Sequence, residues 1–533
     1  MTQSFENCGT LMRFLIRRDR IRIPIWIASF ILITFLVAEA FHRLYTTEIE
    51  RQGMAETMKN PAMIAMVGPG YGLDNYTIGA MMAHQMLLFT AIVVAIMSIL
   101  LVTRHTRSDE EAGRIELIRS MPTGRLANLS ATMTILIIVH FLLAIGIGFS
   151  LYALGIESMD LEGSLLYGAA LGGIGIFFSA LTAVFAQLSE NARGTIGLSI
   201  AALLLFYLVR AVGDVSNEVL SWVSPLGWIL HSKVFVENNW WPVLGTIGIS
   251  LLLLFFAFYL HAKRDLEAGL LPARPGKKFA SRFLQSPTGL FLRLQRTAII
   301  SWAIGLFILG VSYGSIFGDL ESFFNDNEMM QQLLAANEGV SLTEQFMTLL
   351  MKIMAMVSSI PPLMIMLKIV SEERKNRIEH LFSRAVSRNT LLGSSLIIAI
   401  LVSIMMLSLT GFGLWAAAST VMEDPISLMP TLKAAFVYLP AIWLMISLTV
   451  LFIGFIPKRS SVIWFYLSYS FVVIYLGALL QLPDWLGNLS PYHYIPEIPV
   501  EEINLTEMAV LLFITVSLSI IGFIRYNRRD IFG

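Results

Sequence analysis

The chain has 533 residues, 56% of them hydrophobic and 14% charged, with a mean hydropathy of +0.71; this excludes a soluble globular protein and requires lipid. Its 37 basic and 37 acidic residues cancel, so overall charge gives no reason to expect nucleic acid as a partner. The single cysteine, Cys8, excludes an internal disulfide framework and a cysteine-rich metal site.

A basic lead containing Arg13, Arg17, Arg18, Arg20 and Arg22 precedes the first apolar run without a small-residue cleavage site, so that run is expected to stay as a membrane span. Runs of about 20 apolar residues cross a bilayer as helices. They are predicted at 23–44, 79–103, 128–154, 165–187, 194–212 and 241–262, and again at 297–318, 346–370, 391–418, 433–456, 461–481 and 508–525. The expected fold is an all-α integral membrane protein of twelve transmembrane helices, built as two parallel six-helix repeats. An amino-terminal half, 1–262, is joined through a basic linker, 263–296, to a carboxy-terminal half, 297–533. Placing the amino terminus in the cytoplasm puts 30 of the 37 basic residues inside, as the positive-inside rule requires. Only Arg43, Arg51, Lys59, Arg210, Lys233, Lys352 and Lys433 fall outside or near outer ends. The linker, with Pro272, Pro275, Gly276 and Pro287 among its bases, is expected to lie against anionic headgroups. Outer segments are acidic, with Asp319, Glu321, Asp326 and Glu328 in one and Glu497, Glu501, Glu502 and Glu507 in another. Outer segments 45–78, 213–240 and 482–507 are long enough for short helices, and Trp222, Trp228, Trp240, Trp241 and Trp485 suit an interfacial belt.

Between the second and third spans of each half stands a charged segment: SDEEAGRIELIRSMPTGR, Ser108 to Arg125, and SEERKNRIEHLFSRAVSR, Ser371 to Arg388. Overlaid without a gap, Glu110 meets Glu373, Arg114 meets Arg377, Ile115 meets Ile378, Glu116 meets Glu379 and Arg125 meets Arg388. Each reads as an amphipathic helix of about four turns, with an i,i+4 pair, Glu110–Arg114 or Glu373–Arg377, in the favourable order. Ser108 and Glu111 suit a capping box. One such copy alone reads as a solvated connector; two at matching places suggest a duplicated device. Weaker echoes keep the same order: Arg17, Arg20 and Trp26 with Arg293, Arg296 and Trp302; Ser224-Pro225 with Ser490-Pro491; Arg264-Asp265 with Arg529-Asp530.

No phosphate loop occurs, since Gly276-Lys277-Lys278 lacks the preceding glycine and the following Ser or Thr, and no HExxH or GxSxG is present. The eight histidines show no metal-ligand spacing. Neither a catalytic residue nor a metal site is therefore expected, nor a cofactor in this chain. Ionisable residues within spans are few: Glu39, Arg210, Lys352 and Lys433 lie near outer ends and suit snorkelling. His84 and His140 are deeper and read as packed, hydrogen-bonded side chains or as a proton relay. Phe206 and Tyr207, Met351 and Met354, and Phe465, Tyr466 and Tyr469 read as helix packing or as an adaptable hydrophobic route.

The basic lead, six spans per half and the EExxGRIE-type helix between spans two and three resemble the permease subunits of type-2 ABC exporters. The doubled form with EEAGRIELIRSMPTGR looks like permeases of bacterial polyketide-antibiotic exporters, the tetronasin and narasin polyether ionophore resistance group. The second copy departs from this pattern, with Asn376 for Gly113 and Arg384 to Ser387 for MPTG, so the two copies need not be equivalent. The resemblance implies an exporter in the bacterial cytoplasmic membrane, with a separate ATP-binding subunit in two copies carrying ATP and Mg²⁺. Its cargo would be a hydrophobic drug or polyether antibiotic. The two charged helices become coupling helices, with Ile115 and Ile378 filling a groove on the ATPase while Glu110, Arg114, Glu116, Glu373, Arg377 and Glu379 fix orientation. Arg210 and Lys352 become candidates to attract a cargo carboxylate. The rival reading is an ion-coupled twelve-span secondary drug exporter, disfavoured by the near absence of buried acids; a membrane scaffold is disfavoured by the lack of any soluble interaction domain.

Overall fold

A computed structural model describes residues 2–265, 268–271, 278–319, 342–383, 386–422, 426–476, 483–498, 501 and 504–530. Among these residues all regular structure is helical. The chain divides into two compact units, Met1–Gly276 and Lys277–Gly533.

In the first unit, α1 (Cys8–Arg18) buries Leu11 and Leu15 and ends on Arg17 and Arg18, where the helix dipole favours cations. The first span is α2 (Arg22–Leu44). Two short helices follow, α3 (Glu48–Thr57) and α4 (Pro61–Val67), the former opened by a capping box between Thr47 and Glu50. Next come α5 (Ile78–His105), α6 (Arg107–Glu111), α7 (Arg114–Arg119), α8 (Ala127–Tyr152), α9 (Leu161–Leu188) and α10 (Ala192–Ser216). The short α11 (Glu218–Ser221) and α12 (Pro225–Leu230) lead to the sixth span, α13 (Trp241–Lys263). The fourth span, α9, is the axis of this unit, packing on α5, α8 and α13, with 78% of its apolar window buried against 17% for α2 and 22% for α13. Its approach to α8 is close enough that a Cβ on Gly168 would stand 2.1 Å from the Ala144 carbonyl oxygen, so only glycine fits there.

The second unit contains α14 (Pro287–Gly314), α15 (Leu342–Ser358), α16 (Ile360–Glu373), α17 (Glu379–Phe382), α18 (Arg388–Val421), α19 (Leu428–Phe436) and α20 (Leu439–Phe455). It closes with α21 (Val462–Leu476), α22 (Asp484–Gly487) and α23 (Leu505–Arg528). Here α14 packs along α18, and α20 packs along α23. Proline at N1 or N2 opens α14, α16 and α20, a position where its missing N–H costs nothing.

Among the described residues eleven helical stretches are long and apolar enough to cross a membrane, where twelve spans were expected. The predicted span 461–481 is described only as α21, 15 residues, and residues 477–482 lie outside the described ones. Glu321, Asp326, Glu328 and Glu502, and Pro272 to Gly276 of the linker, also lie outside them. Both Ser-Pro echoes start a short helical segment, Pro225–Leu230 and Pro491–Tyr494. The expected tryptophan belt is in part a stack: Trp222 lies on His231 at 4.1 Å and on Trp241 at 5.2 Å between ring centres.

Candidate functional site

The charged segment of the first unit begins where α5 breaks at Thr106, with φ −114° and ψ −92°. It is not the continuous four-turn helix expected. Two short helices, α6 and α7, are separated by Gly113, whose φ of +69° suits a residue without Cβ. In the second unit α16 ends at Glu373 and α17 begins at Glu379, with Asn376 at φ +53° between them. Asparagine tolerates the left-handed region better than most residues, so the exchange of Gly113 for Asn376 keeps the turn.

This break redirects the ion pairs. Arg114 reaches back five residues to Asp109 at 2.7 Å, and Arg377 five residues to Glu372 at 3.4 Å, in place of the expected partners Glu110 and Glu373. Ser108 lies inside α6 rather than at its cap, and Glu111 accepts the Ala192 N–H at 2.7 Å instead of closing a capping box. Ile115 and Ile378 are buried in their own units, 6% and 1% exposed; hydrophobic burial has turned them inward, so they do not project toward a partner. Ile115 lines a cavity of about 20 Å³ with Ile118, Arg119, Thr123 and His261, room for about one water. Burial and the neighbouring Arg125 guanidinium push the Arg119 pKa down. What faces outward is Arg114, Glu116 and Leu117 in the first unit, and Arg377, Glu379 and His380 in the second.

Glu110 and Glu373, each 6% exposed, do something the sequence pattern alone did not suggest. Glu110 Oε2 accepts from Arg264 Nη2 at 2.9 Å and lies 3.4 Å from Arg107 Nη1. Glu373 accepts from Arg529 Nη2 through both oxygens at 2.7 Å and from Tyr526 Oη at 2.9 Å. Burying a carboxylate is costly unless it is paired and hydrogen-bonded, and both acids meet that condition. The recurrence of Arg-Asp after the sixth span, at Arg264 and Arg529, read from the sequence only as an echo of duplication, is the signal that could have found these partners.

Further ties hold the first segment to its unit. Arg18 donates to Asp109 at 2.7 Å, Asp19 is buried against His105 at 2.6 Å and Arg104 at 3.3 Å, and Gly124 N–H donates to the Glu6 carbonyl at 3.0 Å. In the second segment Lys368 pairs with Glu372 at 3.0 Å, and Arg374 donates to the Lys458 carbonyl at 2.9 Å.

The candidates for a substrate route fall in both units, Phe206, Tyr207 and Arg210 in the first and Lys352, Met354, Phe465, Tyr466 and Tyr469 in the second, and each is described within its own unit. Arg210 is fully buried, paired with Asp214 at 2.8 Å, and donates to the Ala65 carbonyl at 2.6 Å; it does not snorkel. Lys352 is paired with Glu497. A cargo carboxylate would have to displace an acid at either place. Phe206 packs edge-on against Phe177 and Phe178, and Tyr207 carries the Arg210 guanidinium 4.9 Å above its ring. Met354 is core, whereas Phe465 is 79% exposed. Tyr466 and Tyr469 donate to the Leu489 and Leu486 carbonyls at 2.6 and 2.8 Å. His84 and His140 are hydrogen-bonded in the interior, to Tyr76 at 2.8 Å and to Ser98 at 3.0 Å. An apolar groove of about 670 Å³ between α18, α20 and α23, lined by Leu396, Trp443, Val516 and Phe523, was not anticipated; its residues are spread over three helices without a shared motif.

Residues 10–261 and 284–527 match the family described as multidrug efflux system permease Rv1217c, C-terminal domain. The multidrug efflux system permease protein Rv1217c of Mycobacterium tuberculosis (strain ATCC 25618 / H37Rv) is 34% identical over 99% of this chain and 96% of its own length.

Proposed function

Because the chain belongs to the Rv1217c family of multidrug efflux permeases, we propose that it is the membrane subunit of an ATP-driven exporter of type-2 ABC architecture. It is a multi-pass membrane protein and a transport subunit rather than an enzyme. In this reading the halves are a duplication in one orientation, both termini are cytoplasmic, and the bilayer is the bacterial cytoplasmic membrane. A separate ATP-binding protein in two copies carries ATP and Mg²⁺ and docks on the segments around Gly113 and Asn376. Closure of the ATPases biases a two-state membrane domain between inward- and outward-facing forms. The cargo is a lipophilic drug or antibiotic of polyether or polyketide type that enters from the bilayer.

The observation that carries this reading is the construction of the two segments. Each is anchored by buried acids while an arginine and a glutamate, Arg114 with Glu116 and Arg377 with Glu379, stay at the surface. That division suits a part that must be firmly attached on one side and bind a partner on the other. The test is co-purification with the candidate ATPase, then ATPase stimulation across a panel of hydrophobic antibiotics. Reversing both Glu116 and Glu379 to Arg should abolish stimulation; unchanged ATPase binding and ATP-dependent efflux in that variant would count against docking here. Efflux that persists without ATP and collapses with the proton gradient would favour the ion-coupled alternative.

A further inference from the structure

The two ends of each charged segment close on one and the same residue. In the first unit Glu110 holds the Arg264 side chain at 2.9 Å and Arg125 Nη2 donates to the Arg264 carbonyl at 2.6 Å. In the second, Glu373 holds the Arg529 side chain at 2.7 Å and Arg388 Nη1 donates to the Arg529 carbonyl at 2.5 Å. Both gripped arginines are the C-cap residues of a sixth span, with backbone N–H bonded to Leu260 O or Arg525 O. They therefore ride rigidly on α13 and α23.

We infer that Arg264 and Arg529 are positioning residues through which each segment moves the sixth span of its own unit; this rests on the ATP-driven reading above. A single contact between segment and helix would act as a pivot. Contacts to both the side chain and the carbonyl of one residue fix distance and angle together, so a displacement of the segment passes to the helix end. Three residues before each arginine a second side chain joins the clasp by different chemistry. His261 Nε2 lies 3.2 Å from the Arg125 carbonyl, and Tyr526 Oη donates to Glu373. The grip on the arginine recurs although its neighbours differ, which points to the grip as the selected feature. A merely structural tie would need no buried charge, since apolar packing can hold a helix end at less desolvation cost. From the sixth span the motion has a direct path inward, because α13 packs on α9 and α23 packs on α20, the fourth spans of the two units.

The test uses the full chain reconstituted with its ATPase partner, measuring ATP hydrolysis and efflux of a hydrophobic dye on the same vesicles. In the double variant Arg264→Met, Arg529→Met, the ATPase still co-purifies, and dye moved per ATP hydrolysed falls about tenfold or more, within the range of ordinary coupling energies. Arg264→Lys with Arg529→Lys recovers part of the ratio, because a charge remains but the fork does not. Loss of folded protein would lower both rates without changing their ratio. If the Met variants do not fold, Arg125→Met with Arg388→Met, which removes only the carbonyl contacts, is read by the same ratio. A wild-type ratio in the folded variants overturns the inference alone. Absence of ATP-dependent efflux in the wild-type chain overturns the ATP-driven reading, and the inference with it.

Discussion

On the first charged segment the outward surface carries Leu117 and Met121, 70% and 54% exposed, beside Arg114 and Glu116. On the second, His380 stands in place of Leu117, and Arg374, Lys375 and Arg377 are exposed around Glu379; Arg384, in place of Met121, lies outside the described residues. Beneath these surfaces both segments keep the same left-handed turn, the same five-residue ion pair and the same hold on a C-cap arginine. Desolvation constrains the buried side, because a change there strands a charge. The exposed side is free to vary, and it has become apolar in one unit and basic in the other. In the proposed exporter an identical pair of ATPases would thus meet two unlike footprints, one strengthened by burial and the other by charge and weakened by salt.

Breaking the shared buried side has the largest expected effect. Glu110→Ala or Glu373→Ala leaves a buried arginine without its acid and costs about 3–5 kcal/mol, read as lost thermal stability in detergent. The two costs are expected to agree, and a large disparity would break the equivalence drawn here. The exposed sides come next: Leu117→Asp should weaken ATPase co-purification by about 2 kcal/mol, roughly 30-fold. His380→Asp should cost less than about 1 kcal/mol, with a loss that shrinks as salt rises; comparable losses in both would erase the distinction. The turns act on the same small scale as His380→Asp. Gly113→Ala places a Cβ in the left-handed region and costs about 1 kcal/mol, whereas Asn376→Gly changes unfolding by only about 0.5 kcal/mol, both read by thermal unfolding.

Much of the architecture was legible because lipid forces long apolar helices, and hydropathy reads those directly. Span 461–481 was legible as an apolar run but is described only as far as Leu476. Within the charged segments the helical period was visible and its interruption was not, although Gly113 in mid-pattern is the usual mark of a helix end. That one residue explains most of the differences, since it moves Arg114 from Glu110 to Asp109 and turns Ile115 inward. The partner of Glu110 lies 154 residues away, beyond the reach of any periodicity. Arg210 and Lys352 resembled free cations because their acids, Asp214 and Glu497, sit in or beside segments taken as outer loops or span ends.

The double hold on Arg264 also constrains evolution of the chain's length. Inserting one residue in α13 would rotate its end by about 100° and advance it about 1.5 Å, carrying the guanidinium and the carbonyl away from Glu110 and Arg125 at once. Insertions and deletions should therefore be purged from the sixth spans and accumulate after them, so that homologues vary in tether length while counting the same residues up to the arginine.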